Sequence, residues 1–363
     1  MTKLVHVFIY DVGGELTPRD ARDLCAAAGE IKTERISELY TDYFIELGMT
    51  PVRALVGEGE AEVGGRRVRL AKYVKVMVFG VVMIEFVLDF GISLGTEEIK
   101  AAAWSDRLKI GGKEERLQEL ARAEFERIMA LPALRFRKTY EPPKFVDIYR
   151  IVVDREPRSR ETICSIILNE DEGLLSPDLV AGMMRNASSY SKRDAVVVST
   201  TSSYIYSEAY PEDEINLIEL SRVQLFELKV YDIILDREMG RAYSLLEGIP
   251  PKGLRFRVFS RDYRRLSKMA FGLMELRVEL LDLIKDVMNS TKVTSDTYLA
   301  YLYRRVNREF RIAEWYEGAK SKLEELEDVY TMAIDRLEMH RSYTLELLIL
   351  IVIVIEAVIL LWE

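Results

Sequence analysis

Apolar and polar positions alternate in blocks over the first 210 residues, and the blocks recur in one order: an apolar strand, a polar turn, a capped helix. Residues 5–10 form the first apolar run. Asp11, Val12, Gly13 and Gly14 break it, and Thr17-Pro18-Arg19-Asp20 opens a helix. Thr17 suits an N-cap because its hydroxyl accepts an orphan backbone N–H, and Pro18 suits the first helical position, where no N–H is required. The second block is residues 73–90, read as a strand, then Gly91 and a helix from Thr96 through Trp104. The third is a strand over 163–169, an acidic turn, and a helix that Ser176-Pro177-Asp178 opens and that runs to Arg185. Further strand signals lie at 147–154 and 195–206, and Gly64-Gly65 between two strand-like runs predicts a hairpin. Strands interleaved with helices predict α/β or α+β layers, and with the helices that follow the chain is expected to be α+β overall. Pro142 and Pro143 cannot continue a helix, so residues 137–147 are expected as a linker between a first α/β lobe, 1–136, and a second, 148–210.

After Pro211 helical periodicity takes over. Helices are expected over 212–247, 260–289 and 295–310, with a fourth from about Ala313, making a long-helix bundle or coiled coil over 211–341. In the fourth, Tyr316, Ala319, Leu323, Leu326, Tyr330, Ala333, Leu337 and His340 fall at alternating spacings of three and four, a heptad seam. Such a stripe serves either as the buried face of an intramolecular bundle or as an oligomer seam.

Residues 345–362 change the picture most. Fourteen of these eighteen are Leu, Ile or Val. On a translocon scale they sum to roughly −5 kcal/mol, against about +3 kcal/mol for Glu356. A helix of that length spans about 27 Å, close to the hydrocarbon thickness. The segment 343–362 is therefore expected to be a single transmembrane helix, with Leu345, Glu346, Ile351, Glu356 and Trp362 marking the anchor. Arg336, His340 and Arg341 precede it, and by the positive-inside rule they put the bulk of the chain in the cytoplasm, at the inner face of a cell membrane.

Composition trims the function classes. Two cysteines, Cys25 and Cys164, do not make a disulfide scaffold, and two histidines, His6 and His340, leave little material for a metal site or a His-based triad. The Gly-rich stretches match neither a Walker nor a dinucleotide fingerprint. No cofactor, catalytic constellation or small-molecule substrate is expected, and the chain reads as a non-enzyme. Gln is confined to Gln118 and Gln224 while charged residues reach 31%, a bias like that of thermophile proteins. A net charge of −9 argues against a general nucleic-acid binder. Two local basic patches stand out: Arg255, Arg257, Arg261, Arg264, Arg265 and Lys268, and then Arg304, Arg305, Arg308 and Arg311. On neighbouring helices they would make one cationic surface for RNA or anionic lipid; internal pairing with acidic helices is the alternative.

The C-terminal half resembles the "required for meiotic nuclear division" family. The resemblance rests on Tyr190-Ser191-Lys192-Arg193-Asp194 and the valines after it, and on Glu219, Leu225, Glu227, Leu228, Tyr231, Asp232 and Asp236-Arg237-Glu238. It continues through Lys292-Val293-Thr294-Ser295-Asp296, residues 311–315 and 322–330, and the ending with Leu345-Glu346 and Glu356. It implies an oligomeric inner-membrane protein, with translation as the process its mitochondrial members support, and no enzyme activity. The expected function is a membrane-tethered scaffold or oligomerising adaptor, with the bilayer, further copies of the chain and ribosomes or RNA as partners. An ion-transport component with CorA-like architecture and a hydrolase with an unrecognised site are the alternatives. The first of these needs a second membrane helix and a Gly-Met-Asn loop that this sequence lacks.

Overall fold

The computed structural model describes residues 1–14, 16–31, 51–78, 80–131, 141–142, 144–248, 278 and 294–362. Within its helices, the side chains at 245–248, 333–334, 336–345, 347–348, 356 and 359–362 lie outside the description. The chain is mixed α+β, with a sheet built by the N-terminal part and helices dominating the C-terminal part. It divides into two compact units, Met1–Val230 with Asp286–Ala313, and Tyr231–Lys285 with Glu314–Glu363.

The first unit is organised by one ten-stranded sheet. Its strands are β1 (Lys3–Asp11), β2 (Glu30–Ile31), β3 (Val52–Val63), β4 (Arg66–Met77), β5 (Val81–Asp89), β6 (Arg107–Ile110), β7 (Lys113–Arg116), β8 (Asp147–Asp154), β9 (Asp194–Val198) and β10 (Ser202–Ser207). They run in the order β7-β6-β3-β4-β5-β1-β8-β10-β9, with β2 beside β3. Every pairing is antiparallel except β8 with β10. Gly64 and Gly65, at φ of 56° and 78°, turn β3 into β4 as the sequence predicts, because a tight hairpin needs positive φ at both central residues. The expected split into two lobes does not divide this sheet. β8 lies directly against β1, with Ile9 opposite Asp147 and Lys3 opposite Val153. Of the expected linker, residues 137–140 and 143 lie outside the described set.

Two apolar runs read as single strands are hairpins. Residues 73–90 contain the end of β4, turn residues Val78 and Gly80, and β5; residues 195–206 contain β9, a turn and β10. A long apolar run carries no signal of its own for where it reverses, except a residue that tolerates positive φ. Gly80 is that residue, at φ 83°, and a Cβ there would sit 2.1 Å from the Gly14 carbonyl oxygen. The run 163–169, expected as a strand, is helical. Helix α4 (Arg160–Leu168) starts at Ser159, whose hydroxyl accepts the Thr162 N–H at 3.0 Å, and ends at Asn169 in the left-handed region. Short buried apolar runs carry no period that separates helix from strand, and here the cap decides.

One face of the sheet carries Leu4, Phe8, Tyr10, Val74, Ile84 and Phe86. It packs with α1 (Pro18–Ala28), α2 (Thr96–Ala103), α3 (Leu117–Met129) and α4 in a single apolar core. The capping box predicted at Thr17 is present: Asp20 N donates to Thr17 Oγ1 at 3.1 Å, and Thr17 N donates to Asp20 Oδ2 at 3.1 Å. Helix α5 (Pro177–Arg185) follows α4. On the opposite face, α6 (Glu212–Gly248) and α7 (Thr297–Glu309) supply the partners. Tyr149 on β8 packs edge-on against Phe310 at 5.6 Å, and Leu217, Ile218, Val223 and Phe226 of α6 are buried.

The second unit holds the remainder of α6 and most of α8 (Ile312–Trp362), a helix of 51 residues. Lys322 of α8 donates to Asp232 Oδ1 at 2.7 Å and contacts Asp236 Oδ1 at 2.6 Å, and Tyr243 Oη donates to Glu325 Oε1 at 3.1 Å. The expected helix over 260–289 falls outside the described residues, apart from a helical residue at Val278.

Candidate functional site

Among the described residues, the features that go beyond packing include buried ionic contacts under α6, the basic stretch of α7, and the apolar end of α8.

The ionic cluster arises from sheet register. Arg53 on β3 is directly opposite Lys75 on β4, which is opposite Met83 on β5. Glu85 lies two residues beyond Met83, on the same face of the sheet. Two cations facing each other across a ladder repel. Glu85 answers both: its carboxylate lies 3.0 Å from Arg53 Nη2 and 3.2 Å from Lys75 Nζ. Helix α6 supplies the rest from Asn216 and Glu219, three residues apart and hence on one face. Lys75 Nζ donates to Asn216 Oδ1 at 2.9 Å and to Glu219 Oε2 at 2.5 Å. Lys75, Glu85 and Glu219 are each 1% exposed. The Arg53 guanidinium also lies 3.8 Å over the Tyr73 ring.

The two carboxylates are not equivalent. Burial pushes Glu85 up, but the charges of Arg53 and Lys75 outweigh it and hold it below the usual carboxylate range. Glu219 is pushed up to about 7, first by burial and then by the charge of Glu85, against the pull of Lys75. One carboxylate is thus firmly ionised and the other takes a proton near neutrality. The cluster locks α6 onto the sheet.

A second node joins the same helix to β8. Arg222 pairs with Asp147 through two nitrogens, Nη2 to Oδ1 at 2.9 Å and Nε to Oδ2, and donates Nη1 to the Thr200 carbonyl at 2.7 Å. Its guanidinium lies 5.0 Å from the Tyr149 ring centroid and 5.3 Å from that of Phe310. Lys229 adds a third contact to Asp147 at 3.2 Å. None of these residues was singled out in the sequence as a site, although Glu219 is among those carrying the family resemblance. The legible signal was charge inside apolar runs: Lys75 and Glu85 both interrupt residues 73–90. His6 is buried, and desolvation, helped by Arg150, pushes it down to about 3, so it stays neutral in the physiological range.

Of the predicted basic residues, Arg255, Arg257, Arg261, Arg264, Arg265 and Lys268 lie outside the described set, so the joining of the two patches is not described. Arg304, Arg308 and Arg311 are exposed, with Arg311 at φ 54°. Arg305 is half-buried and is spent internally, donating Nη2 to the carbonyls of Arg185 and of Ala187.

Of the heptad seam, Ala319, Leu323, Leu326 and Tyr330 are buried within the chain and Tyr316 is half-buried. Within one chain these positions form a buried helix face. The side chains of Ala333, Leu337 and His340 lie outside the description.

Along the expected anchor, α8 continues as helix to Trp362. Residues 349–355 are all apolar and all exposed, from 42% at Ile351 to 60% at Leu350, and Val358 is 50% exposed. Glu346 is exposed; the side chains of Leu345, Glu356 and Trp362 lie outside the description. Among the described residues no helix is long and apolar enough to cross a membrane. Among them, too, no cluster of three or more His, Cys, Asp or Glu is arranged to hold a metal.

Residues 1–212 match the family model described as the N-terminal domain of the uncharacterised protein MJ0711. The chain is also 23% identical over 235 residues to uncharacterised protein MJ0711 of Methanocaldococcus jannaschii, covering 62% of this chain and 69% of the relative. No solved structure matches.

Proposed function

The chain belongs to the family of the MJ0711 N-terminal domain, and we propose that its sheet is the cytoplasmic body of a membrane-tethered scaffold. The observation that carries this reading is the run of seven consecutive exposed aliphatic residues, 349–355, on a helix. At 100° per residue such a run covers every face of the helix, so no single packing partner within a bundle buries it. Lipid does. Each Leu, Ile or Val contributes about −0.3 to −0.6 kcal/mol on entering the hydrocarbon region, and the surrounding sequence extends the run to 345–362. Arg336, His340 and Arg341 on the N-terminal side of the run favour a cytoplasmic body.

The scaffold reading is supported by a first unit whose strongest polar features are spent on internal locking, and by exposed Arg304 and Arg308 available to an anionic surface. RNA, ribosomes and lipid headgroups are the anionic partners that the resemblance of residues 190–363 and this basic stretch suggest. Self-association runs through Glu356, since a carboxyl in hydrocarbon is stabilised by a partner helix.

Removing residues 342–363 is the decisive test. The full chain should pellet with membranes and resist extraction by high salt, and the truncated chain should appear in the supernatant with its fold intact by circular dichroism. A truncated chain that stays with salt-washed membranes would show that the apolar run is not the anchor.

A further inference from the structure

One side of α7 and the turn before β9, both in the first unit, carry exposed side chains that packing does not use. Helix α7 buries Leu299, Leu302, Tyr303 and Val306. On its outer side Tyr301, Arg304 and Arg308 follow one another at spacings of three and four, so they form one stripe, and all three are exposed. Tyr190 joins the stripe near the start of the helix. Its ring meets that of Tyr298 edge-on at 5.4 Å, and the residue is still 77% exposed.

Building on the anionic partner read for Arg304 and Arg308, we propose that this face binds single-stranded nucleic acid, with bases stacked on Tyr190 and Tyr301 and phosphates on Arg304 and Arg308. Single strands are held by this combination: aromatic faces accept any base, and cations track the backbone. Both rings are set before a ligand arrives. The Asp194 carboxylate accepts the Tyr190 N–H at 2.7 Å, the Ser191 N–H at 2.9 Å and the Ser191 hydroxyl at 2.7 Å, which fixes the turn that presents Tyr190. Arg305, held by the carbonyls of Arg185 and Ala187, lies 5.5 Å from the Tyr301 ring centroid and steadies that ring from one side.

Charge is graded along the face, and the gradient favours a strand over a flat anionic surface. Arg304 and Arg308 make no ion pair among the described residues. At the other end of α7, burial and then the charges of Glu214, Asp194 and Asp296 push the Tyr298 phenol up. Lys192 and Arg193, in the turn with Tyr190, offset part of that acidity, and Arg193 lies 3.9 Å from Glu208. A lipid surface would press its phosphates on both ends at once. A single strand lays its phosphates at the arginine end and an uncharged base at the acidic end.

The test uses the full chain in nanodiscs of neutral lipid and a fluorescein-labelled oligouridine of about ten nucleotides, followed by anisotropy. Its deoxy counterpart is run alongside; saturable binding of either is expected, and the tighter one names the nucleic acid. Tyr190→Ala and Tyr301→Ala should each weaken binding about fivefold or more, the factor that about 1 kcal/mol per stacked base implies, and Tyr190→Phe and Tyr301→Phe should restore it. Arg304→Gln with Arg308→Gln should lower the slope of log affinity against log salt by about 1.4, at about 0.7 per phosphate on a single strand. Heparin, an anion without bases, should respond to the arginine pair and not to the tyrosines. If heparin binds through the arginines while the oligonucleotide ignores both tyrosines, the anionic contact stands and the nucleic-acid assignment falls. If neither ligand binds, both fall. Equal loss of binding to anionic vesicles in the tyrosine variants would also overturn the assignment, in favour of a membrane face.

Discussion

Lys75 holds two carboxylates and an amide at once in a buried place. Removing it should therefore cost far more than removing one of its partners. Lys75→Met leaves Glu85 and Glu219 facing each other in a buried site, and the expected loss is about 3–5 kcal/mol in urea denaturation. Glu219→Gln replaces a group already half neutral at pH 7 with a neutral one of the same shape, and should cost less than Lys75→Met. The same carboxyl predicts a pH slope. Its folded pKa of about 7 lies above the value of 4.5 expected when exposed, so between those limits the folded chain binds more protons than the unfolded one. Stability contributed by Glu219 is then present at pH 4.5 and lost as pH rises through 7. Glu85 is shifted the other way, and its contribution is lost only as pH falls below 4.5. Denaturation at pH 5.5 and pH 8 should show the wild type losing stability relative to Glu219→Gln as pH rises. Parallel curves for the two proteins would rule out Glu219 as the group that titrates.

At the scale of elements, the turn between β4 and β5 and the stripe of α8 each rest on one kind of contact. Gly80 combines positive φ with a backbone approach that leaves no room for a methyl group. Gly80→Ala should cost about 2 kcal/mol or more, from left-handed strain and from displacing Gly14; Gly64→Ala in the open hairpin turn should cost only the strain of about 1–2 kcal/mol. On α8, Leu326 is fully buried within the chain. Leu326→Ala should then destabilise by about 2–5 kcal/mol, with a melting temperature that does not depend on protein concentration. If the loss instead appears as dissociation on dilution, the stripe is an intermolecular seam after all. The heptad spacing was legible in the sequence. Which surface it faced was not, because a 3-4 repeat describes the width of an apolar stripe and not the identity of what covers it.

For the molecule as a whole, the proposed arrangement places the entire sheet on one side of a bilayer. Protease added to sealed inside-out vesicles should cut the first unit, and protease added to right-side-out vesicles should leave it intact; the reverse pattern would invert the topology. The basic residues follow the same geometry. With Arg304→Gln and Arg308→Gln, binding of the truncated chain to vesicles containing anionic lipid should fall and lose its salt dependence, since each neutralised Arg removes about 1 kcal/mol of surface attraction.

Local chemistry alone determined a good deal. The Thr17 capping box, the Gly64-Gly65 hairpin, the long helices after Pro211 and the apolar run near residue 350 all follow from side chains and spacing within a few residues. Such features depend on orphan N–H groups, positive φ and transfer free energy, each of which a short stretch of sequence carries in full. Tertiary structure decided the rest. That β8 joins β1 in one sheet, that residues 163–168 are helix, and that Arg53, Lys75, Glu85 and Glu219 meet are facts about packing between segments up to 166 positions apart. A charge in an apolar run announces that a partner is needed. Only the packing of α6 across the sheet says which one it finds.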